Sequence, residues 1–126
     1  MQAERVEAVM KKIGLSQELS PGAEYEKRHE DYVMEMPQSG ERIVGRDNMR
    51  TFQENFPTPP KIEVREIREA GDLVVLEATN DYEGKVFHAV MILEFQEGKI
   101  VRDTRYYAEP FEPPEWRSEW VELEEP

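Results

Sequence analysis

Val86 to Tyr107 reads VFHAVMILEFQEGKIVRDTRYY, and the way its two halves pair decides the fold. Each half is a strand-like run. Glu97-Gly98 lies between them, and a two-residue loop ending in glycine is a favoured hairpin turn. Counting outward from a tight loop sets Phe95 opposite Ile100, Ile92 opposite Asp103, Val90 opposite Arg105 and His88 opposite Tyr107. Side chains alternate across a strand. One face therefore carries Phe87, Ala89, Met91, Leu93 and Phe95 with Ile100, Thr104 and Tyr106, and reads as core. The other carries His88, Val90 and Ile92 with Asp103, Arg105 and Tyr107. That mixture fits a cavity wall, a subunit contact or a salt-bridged surface.

Upstream, Leu73 to Tyr82 predicts another strand, joined to the hairpin by Glu83-Gly84. Ile62 and Val64, with charged neighbours, predict one more, ending at the turn Gly71-Asp72. Strands this close in sequence, with no helix between them, pair antiparallel. Before them, Val6, Val9, Met10 and Ile13 mark one face of a helix that stops at Gly14. Ser20-Pro21 starts a second helix, expected to run to about Glu30 with Tyr25 and His29 on one face. Tyr32 to Met36 predicts a short strand, Pro37 to Gly40 a turn, and Met49, Phe52 and Phe56 a third helix closed by Pro57. The expectation is one α+β domain over residues 1–126, an antiparallel sheet packed on N-terminal helices. Residues 1–22 form an N-terminal helical segment. Residues 109–126 form a proline-rich extension carrying Trp116 and Trp120 at i, i+4, expected on one helical face that packs back, joins a dimer contact or closes a pocket.

Composition narrows the partners. The 126 residues carry a formal net charge of −12, from 28 acidic and 16 basic side chains. Such a chain repels nucleic-acid phosphates and anionic lipids, so neither nucleic acid nor membrane is expected as a partner. No stretch approaches the ~20 apolar residues of a membrane span. The absence of cysteine excludes disulfides, thiol nucleophiles and thiolate metal sites, and fits a cytoplasmic location. With two histidines, and His29, Glu30 and Asp31 merely consecutive, no metal site is expected. No cofactor-binding loop is present either: QSGERIVGR lacks the phosphate-loop pattern.

The order of helices, short strand, PQSGERIVGRDNMR, meander and the ending RDTRYYAEPFEPPEWRSEW resembles the SnoaL-like branch of the nuclear transport factor 2-like superfamily. The resemblance covers about Ala23 to Val121 and is most specific in Pro37 to Gly45 and Tyr106 to Trp120. It implies a cone: a strongly bent sheet wrapped around helices, a deep pocket between them, and frequently a homodimer. Within that superfamily are cyclases, steroid isomerases, epoxide hydrolases and proteins that only bind or scaffold. In the isomerase branch the general base falls near Glu35 and Met36 here, and a second acid falls at Met91, which cannot supply it. In the cyclases the proton-transfer carboxylate falls at Asp103.

Two functions stay open. One is a pocket for an apolar, carbonyl-bearing small molecule, acting as a cofactor-independent cyclase or isomerase. Asp103 would be its base and His88 its catalytic partner, with Tyr25, Tyr32, Glu35, Arg105, Tyr107 and Trp116 around the ligand. Burial in an apolar cone would tune such a base. The other is a non-catalytic binding or dimerisation module in which Asp103 simply pairs with Arg105.

Overall fold

The structure, a computed structural model, describes residues 2–124. Helix α1 spans Gln2–Ile13, and the short α2 spans Pro21–Glu26. Strand β1 (Arg28–Met36) and strand β2 (Glu41–Val44) form a hairpin that leads into α3 (Arg46–Glu54). Four strands follow: β3 (Lys61–Ala70), β4 (Leu73–Tyr82), β5 (Lys85–Gln96) and β6 (Lys99–Ala108). A 3-10 helix at Glu115–Trp120 lies in the C-terminal arm.

Gly14 ends α1 at φ +76°, and a Cβ there would lie 2.5 Å from the carbonyl oxygen of Ala23. Only glycine lets α1 stop this close to α2. In the last turn Glu97 and Gly98 both have positive φ, 54° and 77°. That is the backbone of a primed two-residue hairpin turn, so the expected turn is present.

The sheet order is β2-β1-β6-β5-β4-β3. β3 to β6 form the expected meander. The sheet is mixed rather than wholly antiparallel, because β1 pairs with β6 in parallel. Three local expectations also change. The second helix stops at Glu26, so His29 lies on β1 and not on a helical face with Tyr25. Residues 41–44, where no element is expected between the turn and the third helix, are a strand. Trp116 and Trp120 lie on a 3-10 helix, whose three residues per turn place i and i+4 about 120° apart.

The largest correction concerns the last hairpin. Phe95 is opposite Ile100 as counted, but the register then shifts: Glu94 meets Arg102, Leu93 meets Asp103, Ile92 meets Thr104 and His88 meets Ala108. Val101 is a bulge residue with no partner on β5. One extra residue inverts every side chain beyond it. Asp103 and Arg105 consequently join Leu93 and Met91 inside, whereas Tyr106 is 40% exposed. The core lies on this concave side, where Val9, Ile13, Tyr32, Met49, Leu76 and Leu93 pack together.

Candidate functional site

The concave wall of β6 carries Asp103, Arg105 and Tyr107 in alternate positions. Asp103 is 1% exposed and accepts three hydrogen bonds. Tyr32 Oη donates to Oδ2 at 2.6 Å, Arg105 Nε donates to Oδ1 at 3.0 Å, and Arg105 Nη2 donates to Oδ2 at 2.9 Å. The last two form a bidentate fork, the strongest geometry a carboxylate and a guanidinium can share. Burial opposes the charge on Arg105, but attraction to Asp103 outweighs it and holds the guanidinium well above its ordinary value. Burial, and then the negative Asp103, push the Tyr32 hydroxyl far up, so it stays a neutral donor. The third guanidinium nitrogen, Nη1, lies 3.4 Å from Tyr107 Oη.

A second buried cluster abuts the first. Arg28 Nη2 donates to Glu24 Oε1 at 3.2 Å and to Gln53 Oε1 at 3.1 Å, and Gln53 Nε2 donates to Glu24 Oε1 at 3.3 Å. Arg28 also stacks over the Tyr32 ring, 5.0 Å from its centre. Desolvation raises the Glu24 carboxyl above its ordinary value despite the nearby Arg105 and Arg28. These charges nearly fill the cone: the void among Glu24, Arg28, Asp103 and Arg105 is only about 10 Å³.

Ligand-sized space lies at the mouth instead. A cleft of about 320 Å³ opens between β1, the ends of β4 and β6, and the segment after α3. Met34, Met36, Phe52, Phe56 and Pro57 make most of its wall. Its polar groups, among the described residues, are Thr58, Tyr82 and Tyr107. The volume is at the lower end for small-molecule pockets. Arginine can only donate, so Tyr107 Oη accepts from Arg105 and its own proton is free to point into the cleft. Tyr82 is similarly placed, since Asn80 Nδ2 donates to its oxygen at 3.5 Å. Burial is the main reason the Tyr82 hydroxyl is raised, so it too is a neutral donor.

Of the expected site residues, Tyr32, Asp103, Arg105 and Tyr107 converge on one chain of contacts, and of these Tyr107 lines the cleft. The others lie elsewhere. His88 is exposed on the opposite face of the sheet, where the bulge leaves it. Glu35 pairs with Arg102 at 2.8 Å. The Tyr25 ring is in contact with Arg46 and Arg50, whose guanidinium carbons lie 4.7 and 5.2 Å from its centre. Trp116 is 75% exposed and does not line the cleft. The sequence reading missed Glu24, Arg28 and Gln53. Glu24 and Arg28 are spaced i, i+4, but ordinary surface helices carry the same pattern.

A bent mixed sheet over helices, with an apolar cleft at its mouth, defines the nuclear transport factor 2-like class. The model of the SnoaL-like domain matches residues 28–103, and the chain belongs to that family. It is similar to an NTF-2 like protein of unknown function from Burkholderia xenovorans, 36% identical over 99% of both chains with a TM-score of 0.83. It is also similar to a putative ketosteroid isomerase from Kribbella flavida, 25% identical over 84% of this chain and 78% of that one, TM-score 0.76. An LEH-like epoxide hydrolase from M. tuberculosis shares the fold at 19% identity over 84% of each chain, TM-score 0.65. No curated protein sequence matches the chain.

Proposed function

We propose that the protein binds a small, largely apolar molecule bearing a carbonyl or similar oxygen, and that Tyr107, seconded by Tyr82, donates the hydrogen bond that orients it. The observation that carries this reading is the Tyr107 hydroxyl, which accepts from a buried arginine behind it and borders a 320 Å³ apolar cleft in front. In this reading Asp103 is a positioning residue. All three donors around it are already engaged with its two oxygens, so it holds Arg105, and through it Tyr107, rather than taking a proton from the ligand. The likeness to a putative ketosteroid isomerase supports an oxygen-bearing, ring-sized ligand. Proton-transfer turnover would need a base other than Asp103 at the cleft.

Titration with a series of cyclic ketones, each beside its hydrocarbon analogue, tests the proposal. The ketone is expected to bind more tightly than the hydrocarbon. Tyr107→Phe should weaken ketone binding about tenfold, the worth of one buried hydrogen bond, and leave hydrocarbon binding unchanged. Met36→Trp, which fills the cleft, should abolish both. Equal affinity of the wild type for ketone and hydrocarbon would remove the role of Tyr107.

The chain is further proposed to pair with a second copy through the convex face of the sheet. Val75, Val90, Ile92 and Thr104 are half-buried there outside the core, with Tyr106 beside them. Ile92→Arg should turn a dimer into a monomer in sedimentation; a monomeric wild type would end this part of the reading.

A further inference from the structure

Among the described residues, the most exposed large apolar side chains are in the C-terminal arm, and none of them belongs to the core. Phe111 is 77% exposed, Trp116 75%, Trp120 73% and Leu123 73%. Isolated apolar residues on a surface are ordinary, but four large ones within thirteen positions are an interaction surface. The arm is not a loose end. Glu109 pairs with Lys85 at 3.8 Å, Glu124 pairs with Arg65 at 3.5 Å, and the Arg117 guanidinium lies 6.0 Å from the centre of the Phe111 ring. The segment between those anchors is a handle carrying its tryptophans in two directions.

Charge decides what such a handle holds. Residues 109–126 contain seven glutamates and one arginine, so they carry −6, half of the net charge of the whole chain. Glu112, Glu115, Glu119 and Glu122 alternate with the aromatic residues. An anionic lipid surface is repelled by that pattern, and so is the same arm of a second copy, which carries another −6. Indole faces beside carboxylates are instead suited to a cationic side chain on an apolar stem, which gains cation–π contact, an ion pair and burial of its methylenes together. The Arg117 and Phe111 contact is a small intramolecular version of that arrangement.

We infer that the arm, Phe111 to Leu123, is a docking surface for a basic segment of another protein, with Trp116 and Trp120 as its anchors and the surrounding glutamates as its charge complement.

The chain supplies its own reporter, since its two tryptophans are both in the arm. Titration of the whole protein with a peptide alternating arginine and leucine should shift and quench tryptophan emission, and affinity should fall steeply as salt rises. Trp116→Ala/Trp120→Ala, followed by a labelled peptide, should lose about tenfold in affinity, the scale of two exposed cation–π contacts. The change should leave thermal stability unaltered, because neither ring packs on the core. Glu115→Gln/Glu119→Gln should flatten the salt dependence. Two results would overturn the inference. One is peptide binding that the double tryptophan variant leaves intact, which is general attraction to an acidic protein. The other is emission already blue-shifted in the free protein that moves to the red on dilution, which means a second copy covers the arm.

Discussion

Two buried ion pairs share one core and are built differently. Asp103 and Arg105 satisfy each other through a bidentate fork, with Tyr32 on the remaining side of the carboxylate and Tyr107 on the remaining guanidinium nitrogen. Glu24 and Arg28 meet through a single oxygen, and Glu24 Oε2 and Arg28 Nη1 have no hydrogen-bond partner. A buried charge is costly unless its whole hydrogen-bonding capacity is met. The complete pair can therefore stay ionised in a dry interior, while the incomplete pair has an alternative: Glu24 can hold a proton. Its carboxyl is raised by desolvation in keeping with that. The complete pair is the one that connects to the cleft, which gives the site a fixed charge pattern behind Tyr107.

The most direct way to break this contrast is to remove an arginine. Arg105→Met should strand the Asp103 carboxylate in the core and cost about 3–5 kcal/mol in urea unfolding at pH 7. Tyr32→Phe should cost about 1.5–3 kcal/mol, the value of a hydrogen bond to a charged group, and leave the fork in place. Arg28→Met should cost less than Arg105→Met, about 1–2 kcal/mol, because Glu24 can neutralise itself by binding a proton. Equal losses for the two arginine variants would show that the pairs are equivalent and dissolve the comparison.

The smallest effect is the most diagnostic. The folded carboxyl of Glu24 lies above its unfolded value, near the ordinary 4.5. As pH rises from that value, the unfolded chain releases the proton before the folded chain does. Rising pH therefore favours the unfolded state until the folded group has also ionised. Wild-type stability relative to Glu24→Gln should fall as pH climbs from about 4.5 and level off above the raised folded value. A difference independent of pH would mean Glu24 titrates normally.

The bulge at Val101 separates what was legible from what was not. The turns Glu97-Gly98, Glu83-Gly84 and Gly71-Asp72, the strand Leu73 to Tyr82, and the first and third helices were readable because each depends on local chemistry: a glycine, a proline or a period of apolar residues. The family was readable from the order of those elements. The side on which Asp103 and Arg105 face was not, and neither was the strand at 41–44 nor the early end of the second helix at Glu26. Each depends on what lies alongside. Arg28 begins a strand because it lies opposite Ile100 of β6, whose N–H donates to the carbonyl of the preceding Lys27.

By itself, the sequence determined the α+β order, the acidic surface, the aromatic arm and the presence of an Asp103, Arg105, Tyr107 alternation on one strand. Only the tertiary structure decided that this alternation points into the core. β6 lies between β5, which it pairs antiparallel, and β1, which it pairs in parallel. A strand held on both sides must meet two registers at once, and the extra residue at Val101 accommodates them. No local pattern encodes that, because the parity of a strand is fixed by its neighbours and by the burial of whole faces.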